Sequence, residues 1–116
     1  GKIIGVEIDS IALKAGRANL RSNGISGAAR FYAGSLPNDH VPEGWADLVL
    51  ANVNSVALTN LATELGRAIK SGGWLVAAGI LTERQQGVED AFTAAGIAIS
   101  ERIYDDDWVA LICSTT

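Results

Sequence analysis

Ile97-Ala98-Ile99-Ser100-Glu101-Arg102-Ile103-Tyr104-Asp105-Asp106-Asp107-Trp108-Val109-Ala110-Leu111-Ile112-Cys113-Ser114 is two apolar-rich runs joined by three aspartates. Runs rich in isoleucine, tyrosine, valine and leucine read as strands, here 97–104 and 108–114. A connector this short leaves no room for a parallel crossover, which takes a dozen or more residues, so the two strands are antiparallel neighbours.

Upstream of the hairpin, strands alternate with helices. Residues 10–22 set Ile11, Leu13, Ala15, Ala18 and Leu20 among Lys14, Arg17 and Arg21, with Ser10 as N-cap and Asn23-Gly24 as the stop, and predict a helix. Residues 56–70 predict a second, with Val56, Leu58, Leu61, Leu65 and Ile69 on one face and Gly72-Gly73 supplying a left-handed C-cap. A third spans about 82–95, capped by Thr82 and ended by Gly96. Strands fall near 3–8, 29–33, 46–52 and 73–79, and two prolines and two glycines make a loop of 34–44. The run 46–52 is almost continuously apolar, the pattern of a strand covered on both faces. Trp45, Trp74 and Trp108 stand at strand starts and read as packing residues. The order predicts a Rossmann-like α/β sheet, mostly parallel and wrapped by helices, with one reversed strand near an edge.

The composition bounds what such a sheet does. A chain of 116 residues is one domain or part of one. With 48% hydrophobic and 19% charged residues it is too apolar for disorder, and it has no apolar run long enough to cross a bilayer and no secretory leader pattern, so the expectation is a soluble, cytoplasmic, globular protein without a membrane partner. Nine basic against 13 acidic residues give a net charge of −4, with the basic residues scattered. That is a poor footprint for a nucleic-acid backbone and suits a basic protein partner better. The single cysteine, Cys113, sits in a buried-strand context and reads as a structural thiol.

Candidate chemistry begins at the first strand. Lys2-Ile3-Ile4-Gly5-Val6-Glu7-Ile8-Asp9 ends in two carboxylates just before a helix. In open parallel sheets ligands sit outside the carboxyl ends of the strands, where an acidic side chain accepts both hydrogen bonds of a ribose diol; Glu7 is the candidate. The competing reading is that Glu7 and Asp9 only favour the start of the next helix through its dipole. Asn52 ends the strand 46–52, and is either a polar group offered to a ligand or a turn residue bonding its own backbone. His40 reads as a loop histidine, and Asp105-Asp106-Asp107 as a solvated turn rather than a cation site, so no metal centre is expected.

In order along the chain, Gly5-Val6-Glu7-Ile8-Asp9, Asn19, Asn23-Gly24, Asp47-Leu48-Val49-Leu50-Ala51-Asn52-Val53, Ser71-Gly72-Gly73-Trp74-Leu75-Val76, Gly79-Ile80-Leu81 and Trp108-Val109-Ala110-Leu111 resemble the ribosomal-protein methyltransferases of the PrmA type, within the class I S-adenosylmethionine-dependent methyltransferases. The resemblance implies S-adenosylmethionine as cofactor and amino groups of a ribosomal protein, that of the large-subunit stalk base, as methyl acceptors. It places Glu7 on the ribose hydroxyls and Ile8 against the adenine. Ser35 falls where that family commonly has an acid contacting the adenine amine, and stands either as an uncharged contact or as plain loop. Asn52 falls where the target amine is held, and is the candidate catalytic residue. Val53-Asn54-Ser55 departs from the more apolar stretch of the family.

The same resemblance implies a strand before Ile3 and a glycine-rich loop after it, and no Gly-x-Gly-x-Gly occurs in these residues. The chain therefore reads as the C-terminal part of a methyltransferase catalytic domain, its first strand and glycine-rich loop missing. Two other readings stand beside it. One is a non-catalytic or degenerate α/β nucleotide-binding or interaction module, in which the strands flanking the lost central one become neighbours or expose apolar edges. The other, a dinucleotide-dependent oxidoreductase half-domain, lacks its fingerprint and is opposed by the terminal hairpin.

Overall fold

A computed structural model describes residues 1–7, 29–33 and 42–115. The expected helix 10–22 and most of the 34–44 loop lie outside them. The described elements are β1 (Ile3–Glu7), β2 (Ala29–Ala33), β3 (Ala46–Asn52), α1 (Ser55–Ala68), β4 (Ile69–Leu81), a single 3-10 turn (Thr82–Arg84), α2 (Gln85–Ala94), β5 (Ile97–Asp105) and β6 (Trp108–Thr115). Six strands form one sheet in the order β2-β1-β3-β4-β6-β5. The pairs β1–β2, β1–β3 and β3–β4 are parallel, and β6 runs antiparallel to both β4 and β5. The terminal hairpin is therefore as expected, with the reversed strand one place in from the edge.

β1 and β3 are direct neighbours, paired from Ile3↔Leu48 to Glu7↔Asn52. Their amino ends are clasped by Asp47, whose Oδ2 accepts the Lys2 backbone N–H at 2.7 Å and whose Oδ1 accepts Lys70 Nζ at 3.1 Å. Those two contacts, the first foremost, hold the Asp47 carboxyl below its ordinary range. Beside it Trp45 packs against the core and carries the Arg30 guanidinium 4.5 Å and the Lys2 ammonium 5.5 Å from its ring centre.

α1 starts at Asn54, whose Oδ1 accepts the Ala57 N–H at 2.8 Å, and turns Leu58, Leu61, Ala62, Leu65 and Ala68 inward. Two crossovers stepping the same way across a sheet, β3-α1-β4 and β4-α2-β5, put both helices on one face, because such connections are right-handed. Ile4, Val6, Val49, Ala51, Leu75, Ala77, Leu111 and Cys113 point into that face and meet Leu58, Leu65, Val88 and Phe92 of the helices.

Four expectations are corrected. Leu50 is 42% exposed, so β3 is not covered on both faces; its opposite face keeps Leu50 accessible. Trp74 and Trp108 are 48% and 49% exposed and are not core residues, since both fall on the outward phase of their strands. β4 begins at Ile69 rather than near 73. Between the pairs Ala46↔Ile69 and Leu48↔Trp74 the β4 side runs longer, so Ser71-Gly72-Gly73 is a bulge within the strand and not a helix cap. Gly72 does take φ +80°, but in that bulge, while Ile69 ends α1 with extended backbone. Finally, the Thr82 side chain makes no cap hydrogen bond; its backbone N–H donates to Asp107 C=O at 2.8 Å, docking the hairpin loop on the turn before α2. That loop is two residues long, Asp106-Asp107, and Asp106 adopts the left-handed φ of +51° that aspartate tolerates better than most side chains.

α2 is tied to β5 by a polar clasp. Arg102 Nε donates to Glu89 Oε2 at 2.9 Å and Nη2 to Oε1, while Gln85 Nε2 donates to Glu89 Oε2 at 2.7 Å and to the Tyr104 hydroxyl at 2.9 Å. Arg102 first, then Gln85, hold the Glu89 carboxyl below its ordinary value of 4.5. A carboxylate with a depressed folded-state pKa contributes stability above its unfolded pKa and loses it as pH falls through the folded one. A Glu89→Gln variant is therefore expected to melt below the parent chain at pH 7, with the gap closing as pH falls below the ordinary value of 4.5. Thermal melts along that descent check this; a gap that persists once the carboxyl is protonated would show that packing, and not charge, links α2 to β5.

Candidate functional site

The carboxyl ends of β1, β3 and β4 lie side by side. Glu7 is the last residue of β1, Asn52 the last of β3, and the two are partners in the parallel ladder; Asn52 in turn partners Ala78 of β4. Neighbouring strands are about 4.8 Å apart, and laterally paired residues of parallel strands share a face. The preceding pair, Val6 and Ala51, is buried against the helices, so the Glu7 carboxylate and the Asn52 carboxamide leave the sheet together on the opposite face. Asn52 is exposed and Glu7 half-exposed.

Two of the four residues singled out in the sequence are thus brought together at one end of the sheet. Ile8 and Ser35 lie outside the described residues, as do Asp9 and His40. Asn54, two residues on from Asn52, is the residue that caps α1. Capping by Asn54 explains the polar run after Asn52: an acceptor is needed where the helix begins, and an asparagine immediately before an apolar-periodic stretch is the signal for it.

Sequence reading missed Gly79. It takes φ +83° in a bulge of β4 against β6, between the pairs Ala77↔Leu111 and Ile80↔Val109. A side chain there would meet the Val53 carbonyl oxygen at 2.6 Å and Asn52 Oδ1 at 3.4 Å. An isolated glycine within a strand pattern is the available signal for such a close approach.

Both helices start at this end of the sheet. A shallow groove between their N-termini is lined by Ser55, Val56, Thr59, Asn60, Arg84 and Gly87. The end therefore offers carboxylate and carboxamide acceptors and one carboxamide donor pair on one face of the sheet, with the groove on the other, helix-covered face. That set suits hydroxyls and an amine better than a metal, and no metal-binding cluster of His, Cys, Asp and Glu occurs among the described residues. Among the same residues no helix is long and apolar enough to cross a membrane. Cys113 is fully buried on the helix-covered face, where burial foremost pushes its thiol up to about 12, as a structural cysteine requires.

The sequence model of a family described as "Ribosomal protein L11 methyltransferase (PrmA)" matches residues 1–116. The chain is 37% identical over 111 residues to the ribosomal protein L11 methyltransferase of Pelotomaculum thermopropionicum, covering 96% of this chain and 35% of that protein. It thus spans about a third of the length of such a relative. Among solved structures it resembles the ribosomal protein L11 methylase of Lactobacillus delbrueckii subsp. bulgaricus, with a TM-score of 0.76, 22% identity, and coverage of 99% of this chain and 58% of that one. It also resembles a geranyl diphosphate C-methyltransferase from Streptomyces coelicolor solved with S-adenosyl-L-homocysteine, with a TM-score of 0.69, 9% identity, and coverage of 100% and 73%. At these identities the two structures speak for the fold: that of class I methyltransferases.

Proposed function

The chain belongs to the ribosomal protein L11 methyltransferase (PrmA) family, and from that membership we propose that it is the C-terminal part of the catalytic domain of a cytoplasmic, S-adenosylmethionine-dependent enzyme that methylates amino groups of a ribosomal protein. The observation that carries the reading is that Glu7 and Asn52 each end a parallel strand at the carboxyl end of the sheet. An open α/β sheet receives a nucleoside there, and the two groups suit the two halves of the task.

S-adenosylmethionine, when bound, supplies a methyl group already activated by its sulfonium, so that the amine nitrogen forms the new bond to carbon as the carbon–sulfur bond breaks. The work left to the chain is binding and alignment. In this reading the two oxygens of Glu7 accept the ribose hydroxyls, with Ile8 against the adenine and Ser35 beside its amine. Asn52 Oδ1 accepts a hydrogen bond from the neutral acceptor amine, which leaves the nitrogen lone pair directed at the methyl carbon. No side chain need become covalently attached, which agrees with a site built of one carboxylate and one carboxamide.

In the longer protein, Glu7→Ala is expected to weaken S-adenosylmethionine binding by about 1–3 kcal/mol, because the ribose hydroxyls lose a charged acceptor. Titration calorimetry measures it directly, and unchanged affinity would remove Glu7 from the ribose. One observation favours the non-catalytic module instead: the direct pairing of β1 with β3 gives these residues a continuous sheet of their own. The two readings part on methyl transfer by the longer protein, which the module reading does not allow.

A further inference from the structure

We infer that Gly79 is the positioning residue for the Asn52 carboxamide, holding it in place through the backbone of Val53. The inference rests on the proposed role of Asn52. The segment 52–54 is fixed on two sides. Asn52 is laddered to Ala78 of β4. Asn54 is committed to the helix, its side chain accepting from Ala57 and its carbonyl from the Leu58 N–H at 3.0 Å. Val53, between them, is 2% exposed. Gly79 forms the third wall, with the site of its missing Cβ only 2.6 Å from the Val53 carbonyl oxygen and 3.4 Å from Asn52 Oδ1.

A Cβ at 2.6 Å from a backbone oxygen does not occur without movement, and neither side of this contact is a flexible side chain tip. Either the β4 bulge opens or the Val53 carbonyl retreats, and the second moves the residue next to it, Asn52. Productive alignment in a site of this kind tolerates about half an ångström. Loss of the glycine is therefore read out at the acceptor amine, not at the ribose, since Glu7 is held by its own strand.

The fold supplies its own controls. Gly72 and Gly96 both have φ +80°, so they impose the same backbone demand, yet a Cβ at either would meet nothing within 4 Å. Substituting any of the three by alanine carries the cost of a left-handed L-residue. Only Gly79→Ala also presses on the site. Gly79→Asn separates the two effects further, since asparagine accepts a left-handed φ but retains the crowding Cβ.

The test uses the longer protein with S-adenosylmethionine and its ribosomal-protein substrate, and compares Gly79→Ala, Gly79→Asn, Gly72→Ala, Gly96→Ala and Asn52→Ala for kcat, KM, cofactor Kd and Tm. Tm is expected to fall in all three alanine variants of glycine. In both Gly79 variants kcat is expected to fall on the order of tenfold to a hundredfold, with cofactor Kd within about twofold of the parent's, and Gly72→Ala and Gly96→Ala are expected to keep the parent's kcat. If Asn52→Ala is impaired while the folded Gly79→Asn protein keeps full kcat, the positioning role is overturned and the reading of Asn52 stands. If Asn52→Ala itself keeps full kcat, the role of Asn52 falls and the inference with it.

Discussion

Incubated with labelled S-adenosylmethionine and a ribosomal-protein mixture, the chain of 116 residues is expected to transfer label at least about a hundredfold more slowly than the longer protein of which we propose it is part. The reason lies in what its carboxyl-end site offers. Glu7 and Asn52 suit a ribose and an amine, whereas the charged methionine end of the cofactor needs a cluster of backbone donors that family resemblance assigns to a glycine-rich loop preceding β1. A ligand held by part of its contacts recovers only part of the free energy that offsets its lost translational and rotational freedom, so occupancy falls first. Alignment falls with it, because a cofactor anchored at the ribose alone leaves its methyl group free to wander over more than the half ångström or so that in-line transfer allows. Label counted on the substrate protein after gel separation is the readout. A rate equal to that of the longer protein would show that the residues in hand are a sufficient enzyme and that the proposed division of the domain is wrong.

What the sequence made legible follows from which signals are local. The hairpin 97–114 was readable because a very short connector between two apolar runs admits one geometry only, β3 because its apolar run is nearly continuous over seven residues, and α1 because its helical period is unbroken over 14. The bulges were not readable. Ser71-Gly72-Gly73 carries the composition of a helix stop, and whether Gly72 closes a helix or kinks a strand depends on β3 lying alongside, with Ile69 already paired to Ala46. Thr82 has the residue type of a cap, but its surroundings are set by the Asp107 carbonyl, 25 residues away along the chain. At the site, the ends of the strands told which residues would gather, since Glu7 and Asn52 are terminal in their runs. That they are ladder partners depends on strand order, and strand order is a property of the whole sheet. Gly79 was missed for the same reason: its neighbours Asn52 and Val53 come from another strand.

The adjacency of Glu7 and Asn52 itself yields the sharpest expected contrast between this chain and the longer protein. With β1 and β3 directly paired, the two Cα atoms lie about 4.8 Å apart, inside the range of roughly 4.4–6.8 Å that a disulfide spans. In the longer protein, family resemblance implies a further strand between these two, which would set the same atoms about 9.6 Å apart, beyond the roughly 7 Å at which bridging requires backbone movement. A Glu7→Cys, Asn52→Cys double variant exposed to a mild oxidant is therefore expected to close a disulfide in the isolated chain and to remain reduced in the longer protein. Peptide mapping identifies the bond, and Cys113 does not compete, being fully buried on the other face of the sheet with its thiol pushed up to about 12. Failure to bridge in the isolated chain would overturn the β1–β3 pairing. Ready bridging in the longer protein would mean that no strand separates them, which would leave too little width at the strand ends for a cofactor to lie between its ribose anchor and the acceptor amine, and would favour a binding module over an enzyme. Bridging in the first protein and not in the second would instead show that this sheet can close over the place of a missing strand without changing the direction of any other, as expected where each remaining strand keeps its own covered face.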